Sequence, residues 1–434
     1  MASAQDPAPF ELSGYTPDEI FGINDELPLL KSDLNISRLI DRVSRSSYQT
    51  LQKFNNIAGA SSSVLELNTN PRDYRCHVVS LVGDAKFATQ ANDDFYLLNA
   101  EDASGHSFLV CVARLPNHWP LDQTINEPIR ITGFFLANFD LTKDADLQDQ
   151  LVIPGNSEIV PLVVAKQVNW FPSNPNSEIK VKPTQQILAE HGVDIAAMDL
   201  VQPSGNLDDS DTNLFYQMLA ACTQIESVPS PATKQFTECL RNPGDSIGDS
   251  LIMTGQLRRA TRITVEDPFW AQVLGQDHYF QLDVFVPLDN QQIVIRNPGF
   301  NETDRDSADK IVHDNRYPIV VCVPELPKPA DQMERSQIAI SGFFLKLWNY
   351  ESGYSQQNRS APKQISPLVI AISPKIIVQP ANPLNFWIGL AGIVTLLGTG
   401  FLLWFVRSDA RKSTPSIAST KEQLPDQIEI PSID

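Results

Sequence analysis

Residues 129–136 read IRITGFFL, and residues 338–345 read IAISGFFL. The octamer returns after 209 residues, with Gly133 answering Gly342 and a Phe-Phe-Leu run behind each glycine. Two further blocks flank it in the same order. VCVARLP at 110–116 returns as VCVPELP at 321–327, an offset of 211, and PLVVA at 161–165 returns as PLVIA at 367–371, an offset of 206. Ordered blocks whose spacing drifts so little mark a duplicated unit. Cys111 and Cys322 hold the same place in it, as do Gly133 and Gly342.

Ile129, Ile131 and Gly133, like Ile338, Ile340 and Gly342, alternate with period two and so share one face of a strand. Three earlier segments extend the first copy: His77 to Ala88 with Gly83 inside it, Phe95 to Ala100, and Ser107 to Leu115. Together they predict about five strands per unit. The second copy begins near Leu251, with Gly255 answering Gly83, and runs through Tyr279 to Val286. Its insertion around 288–316 is polar and turn-rich, as a surface loop is.

Five strands, a glycine that lets a long first strand bend, and a link between strands three and four resemble the OB-fold, a small Greek-key barrel. The link from Pro116 to Pro128 departs from that pattern, being short and proline-flanked instead of helical. An SH3-like barrel or a sandwich stays open at this level. The resemblance implies two duplicated OB-like five-stranded barrels; with the preceding helices and one C-terminal transmembrane helix read from the residues, the expected fold is mainly β with some α.

A helical stripe of Ile36, Leu39, Ile40, Val43 and Phe54 follows Ser32 or Asp33, and Leu214, Phe215, Met218, Leu219 and Cys222 form another after Asp209 or Asp211. Asp33/Asp211, Asn35/Asn213 and Ile36/Leu214 share an offset of 178, which hints that this helix was copied with the strands. The expected organisation is an N-terminal segment with an amphipathic helix at 1–76, β domains at 77–171 and 250–379, and a helical connection at 172–249. A stalk and transmembrane helix at 380–406 and a short polar tail at 407–434 complete it.

The transmembrane reading rests on Phe386 to Val406, FWIGLAGIVTLLGTGFLLWFV, which carries no charge. Its length matches a bilayer core of about 30 Å. Trp387 and Trp404 stand near its ends, and Arg407, Arg411 and Lys412 follow. A single-pass protein held in the lipid bilayer through residues 386–406 is the resulting expectation, with a cytoplasmic tail and external β domains. MASAQDPAPFELSGY shows neither a basic start nor an apolar stretch, which pulls against export.

The formal charge of −19 argues against general attraction to nucleic acid or anionic lipid. Residues 77–171 hold five Lys or Arg against twelve Asp or Glu, so the first copy lacks the basic groove with which OB barrels hold single strands. Arg258, Arg259 and Arg262 in the second copy read as a solvated face, and Phe134/Phe135 and Phe343/Phe344 as packing.

Chemistry is sparse. The six histidines never take a ligand spacing, and no phosphate loop, dinucleotide turn or hydrolase elbow occurs. Asp209, Asp211 and Asn213 imitate the start of an EF-hand, but Leu214 and Ala220 stand where glycine and glutamate are needed, so they read as a helix cap. Five cysteines without a C-x-x-C pair give no zinc or disulfide framework. Cys76 and Cys239 are expected half-exposed, with a Cys222–Cys239 bridge as an option, and Cys111 and Cys322 as small apolar side chains. No catalytic, cofactor or metal residue is assigned. The sequence thus favours a non-catalytic role in binding another protein or scaffolding a complex in the cell envelope. The alternative is a membrane-anchored hydrolase-like enzyme with a diffuse site between the two β domains.

Overall fold

The alternation around the repeated octamer forms long strands in the computed structural model, which describes residues 16, 19, 23–25, 36–47, 50–51, 63–91, 93, 95–143, 159–173, 177–228, 235–289, 291–296, 310–327, 335–350, 364–377 and 383–410. The first sheet comprises β1 (Val78–Gln90), β2 (Tyr96–Glu101), β3 (Ser107–Val112), β4 (Thr124–Asp140), β5 (Ile159–Ala165) and β6 (Asn169–Trp170). After β7 (Ser204–Gly205), the second is built from β8 (Ser250–Thr264), β9 (His278–Pro287), β12 (Arg316–Val323), β13 (Gln337–Tyr350), β14 (Gln364–Ala371) and β15 (Lys375–Ile376). A hairpin of β10 (Ile293–Arg296) and β11 (Lys310–His313) is inserted between β9 and β12. The protein is mainly β, with two sheets and several helices.

The two sheets share one wiring. Pairing runs β1–β2–β3–β5–β4 and returns to β1. In the second sheet it runs β8–β9–β12–β14–β13 and returns to β8. Within each circuit only the third and fifth strands are parallel, with Val112 beside Ala165 and Cys322 beside Ile370. Both fourth strands bulge at the same place, between Phe135 and Ala137 and between Phe344 and Lys346. A Cβ on Gly133 would run into the Val164 carbonyl and Ala165, and one on Gly342 would meet the Ile370 carbonyl at 2.5 Å and Ala371 Cβ at 2.6 Å. Only glycine allows the strands to approach so closely there.

Adjacent residues on these strands face opposite ways, and both faces are covered. Phe135 packs in a cluster with Val79, Leu98, Phe108 and Val110, while Phe134 belongs to another with Leu109, Cys111, Val164 and Leu39. Leu39 lies on α1 (Ile36–Arg45), whose apolar stripe Ile36, Leu39, Ile40 and Val43 lies against β5. Each fully buried side chain of this size contributes about 1.5–3 kcal/mol. Asp33, Asn35 and Phe54, read as part of the same stripe or its copy, lie outside the described residues.

A further duplication precedes each sheet. α2 (Val64–Thr69) and α3 (Pro71–Tyr74) lead into β1; beyond α4 (Pro183–Glu190) and α5 (Asp209–Ala221), α6 (Phe236–Arg241) and α7 (Pro243–Ser246) lead into β8. Asn70-Pro71-x-Asp73 matches Asn242-Pro243-x-Asp245, with φ near −130° at both asparagines (−129° and −130°) and a proline opening each second helix. α8 (Pro268–Leu274) lies between β8 and β9.

All five cysteines are buried and none forms a disulfide: Cys76 and Cys239, expected half-exposed, instead sit at 1% and 0% exposure, and Cys222 and Cys239 are not bridged. Cys76 and Cys239 pack within the two hydrophobic clusters, where a small apolar side chain fits.

The chain divides into two compact units, Met1–Ile377 and Val378–Asp434. The second unit contains α9 (Pro383–Ala410). Among the described residues no helix is long and apolar enough to cross a membrane. Side chains of α9 are described at 391–404 and at 407. The expectation of a single-pass transmembrane helix through 386–406 is therefore overturned, and with it bilayer partnership through those residues and the inside–outside placement that depended on them. Trp404 is exposed, against Phe401 at 5.8 Å between ring centroids, whereas the side chains of Phe386, Trp387 and Val406 lie outside the described ones.

Candidate binding surfaces

The first and second sheets diverge most where their opening strands leave the fourth. β1 carries an extra residue, Lys86, between Ala85 and Phe87, and β8 carries Arg258 in the equivalent place between Leu257 and Arg259. Beyond the bulge β1 remains paired on both sides, Phe87 facing Asn99 on β2 and Thr124 on β4, and Phe87 is buried. β8 behaves otherwise. Its backbone bonds to the stretch before β13 end at Leu257, which exchanges bonds with Ser336 and Arg335 at 3.0 Å. From Arg259 to Thr264 the described pairing is to β9 alone. Among the described residues β8 and β9 thus continue as a two-stranded ribbon.

This ribbon carries the arginine cluster of RRATRIT. The Arg258 guanidinium lies over the Phe285 ring at 5.2 Å. Arg259 Nη2 reaches Asp283 Oδ2 at 2.7 Å, and Arg262 Nη2 reaches Asp277 Oδ1 at 3.2 Å. Asp277 also meets His278 Nδ1 at 2.7 Å, and the hydrogen bond from His278 holds its carboxyl below the usual carboxylate range. The cations are thus balanced by aspartates on the neighbouring strand or turn. Below them α8 is capped by Asp267, whose side chain accepts from Phe269 N at 2.9 Å, and ends on Gly275 at φ 77°. Trp270 stacks on Tyr216 of α5 at 5.0 Å, and Tyr279 meets Phe215 edge-on at 5.3 Å. The aromatic base fixes the ribbon to the body of the second sheet.

Among the described residues the histidine–carboxylate pairs do not meet in a pocket. His278 and Asp277 meet at the surface, with the Asp277 side chain 70% exposed, and not in a pocket. His106 and Asp102 pair at 3.2 Å across the turn between β2 and β3, and His118 is exposed. Among the described residues no cluster of three His, Cys, Asp or Glu side chains could hold a metal ion. Cys111 and Cys322 are buried in their strands, and burial pushes both thiols well above their ordinary pKa. The Asp209–Asn213 run opens α5, but its cap is Asp208, which accepts from Ser210 N at 2.9 Å and Asp211 N at 3.0 Å.

Asp211 instead forms a fully buried ion pair with Lys346 of β13, whose Nζ also donates to Asn206 O at 3.0 Å. Sequence reasoning missed this pair. Its one signal is that GFFLKLW interrupts an apolar run with a lysine where the first copy has Ala137. It also missed Asp194, which accepts from Asn169 Nδ2 at 2.6 Å, Trp170 N at 2.9 Å and Ala196 N at 3.1 Å, while its own amide donates to Gln217 Oε1 on α5 at 2.9 Å. Burial pushes the Asp194 carboxyl up to about 6, against the pull of those donors. Both are structural ties: Asp194 joins β6 of the first sheet to the helix that packs on the second.

No family model matches the chain, and no curated protein does. Among solved structures it is similar to a deletion mutant of the single-stranded DNA binding protein from Thermus aquaticus, at 9% identity and TM-score 0.17 over 70% of this chain and 96% of that one. The wild-type form of that protein matches at 10% identity and TM-score 0.15, over 70% and 95%. Entamoeba histolytica asparaginyl-tRNA synthetase, in complex with asparaginyl-adenylate, matches at 13% and 0.17, over 49% and 50%. None superposes well enough to bear on fold or ligand.

Proposed function

We propose that this chain is a non-catalytic protein-binding or scaffolding protein made of two OB-like barrels, spanning about residues 77–171 and 250–379. The strand circuit with a parallel third and fifth strand, present twice, supports the barrel reading. The single observation behind the binding role is the β8–β9 ribbon. Among the described residues the backbone of 259–264 pairs with β9 alone, beside a mixed surface of arginines, aspartates and aromatics, which suits an extended protein segment added as another strand. Pairing of Arg259 and Arg262 with aspartates tells against a nucleic-acid groove, whose attraction depends on uncompensated positive charge.

Random peptides displayed against the full chain, with counter-selection on an Arg258→Glu/Arg259→Glu/Arg262→Glu variant, test the reading. Extended peptides that bind the wild type and shift the amide resonances of 258–264 support it. Tight binding of a single-stranded oligonucleotide with a steep salt dependence, lost in the same variant, would overturn it.

A further inference from the structure

A short segment ahead of α1 folds back onto the first sheet. Ile23 is 5% exposed, in the cluster that holds Leu39, Val78 and Phe139. Arg75, just past α3, is buried and grips this segment with both terminal nitrogens: Nη1 donates to Ile23 O and Nη2 to Asp25 Oδ2, each at 2.5 Å. The other oxygen of Asp25 accepts from Asn138 N on β4 at 3.1 Å. Upstream, Glu19 meets Arg38 of α1 at 3.4 Å, an exposed pair that adds little hold.

The second copy has the same seat, filled differently. Pro203 lies 178 residues after Asp25, the offset that relates Leu214 to Ile36, and Leu347 matches Asn138 at the 209 of the repeated octamer. Leu347 N donates to Pro203 O at 2.9 Å, and β7 then runs parallel to β13, with Ser204 beside Leu347 and Gly205 beside Trp348. Each copy therefore seats a segment on its fourth strand just beyond the bulge. In the second copy backbone meets backbone, and Lys346 holds the following turn through Asn206 O. In the first, a carboxylate stands in for the carbonyl, and Arg75 occupies the place of Ile247, its counterpart 172 residues on. The Asp25 side chain keeps 22% exposure, so the ion pair borders solvent. Arg75 Nε is buried with no hydrogen-bond partner among the described residues, which offsets part of what closure gains.

We infer that the first copy carries a recognition seat for an extended apolar-x-acidic segment, which the chain's own Ile23–Asp25 strap occupies and closes, and that the same chemistry supplied by another chain displaces the strap. The specificity follows from the occupant. An apolar side chain joins the cluster of Leu39 and Phe139, the carbonyl of that residue meets Arg75, and a carboxylate two residues on bridges Arg75 and the Asn138 amide. An uncharged segment does not satisfy that charge-assisted set. Elements held by few buried contacts open ahead of the whole fold, which leaves the strap exchangeable. The seat lies in the first copy and does not depend on the β8 ribbon.

Hydrogen exchange of the full chain tests this, with a synthetic peptide of residues 18–28, DEIFGINDELP, as the probe. Exchange at the Asn138 amide is expected to quicken about tenfold or more in Asp25→Ala, while the Leu347 amide, bonded to Pro203 in the second copy, stays within about threefold. Peptide in several-fold excess over the roughly millimolar effective concentration of a tethered segment should restore protection at Asn138 in this variant. Arg75→Ile, which installs the second copy's residue, should lose the same protection and regain none from the peptide. An Asn138 amide that exchanges at the wild-type rate in Asp25→Ala, or a peptide that restores nothing there or restores as much in Arg75→Ile, would overturn the assignment. A matching rise at Leu347 marks general loosening in place of strap release and overturns it too.

Discussion

Cys76 and Gly248 hold the same left-handed backbone, φ 58° and 78°, at the entrance to their sheets, and each donates its amide to the second phenylalanine of its own repeat. The bonds are Cys76 N to Phe135 O at 2.7 Å and Gly248 N to Phe344 O at 2.9 Å. Phe135 N and Phe344 N answer to His77 O and Asp249 O at 3.0 and 2.9 Å. The duplication therefore extends to single backbone angles, and it includes a position where one copy uses glycine and the other tolerates a strained side chain.

That asymmetry predicts unequal responses. Gly248→Ala adds left-handed strain and a Cβ 2.9 Å from Met198 Sδ, and should lower stability by about 1–3 kcal/mol in urea unfolding. Cys76→Gly relieves strain but forfeits a buried side chain, so its net change should stay within about 1 kcal/mol.

The Lys346–Asp211 pair is expected to behave as a buried ion pair does. Lys346→Ala strands the Asp211 carboxylate and should cost about 3–5 kcal/mol. Lys346→Met combined with Asp211→Leu removes both charges and should recover most of that loss in denaturant titration, because neither desolvated group remains.

Asp194 sets a pH window. Its folded pKa of about 6 lies above the ordinary aspartate value of 3.8, so the native state holds a proton that the unfolded chain has released between those pH values. Stability from this site is greatest below pH 4 and falls, by about 3 kcal/mol in all, as pH rises to 6, then levels off. The difference in unfolding free energy between wild type and Asp194→Asn, followed from pH 4 to 8, should show that slope.

Gly133→Ala and Gly342→Ala should each cost about 1–3 kcal/mol, with matching values, since the added methyl meets the neighbouring strand's backbone in both copies. Gly275→Ala meets nothing within 4 Å but carries left-handed strain at φ 77°, so it should cost about 1 kcal/mol, and thermal unfolding of the three variants ranks them.

Much of this architecture was legible from residues 110–165 and 321–371, because the third, fourth and fifth strands are buried on both faces and their apolar sequence is tightly constrained. The entrance motif Asn-Pro-x-Asp was harder to see. It is short, and its meaning lies in backbone angles more than in side-chain pattern. The buried polar ties were illegible for another reason: Asp211 and Lys346 are 135 residues apart, and only the fold makes them neighbours. The apolar run at 386–406 misleads because its length and hydropathy suit a spanning helix, and the described residues contain none. At the β8 ribbon, the arginine cluster was visible, but the ladder's end at Leu257 among the described residues was not.

The Asp194 junction also orders events during synthesis. Asn169 and Trp170 leave the ribosome 25 and 24 residues ahead of the carboxylate that accepts their hydrogen bonds, and the amide of Asp194 in turn waits 23 residues for Gln217. The last strand of the first copy therefore gains its carboxylate partner only after a further 24 residues have been made, and that carboxylate is itself tied to α5 through Gln217.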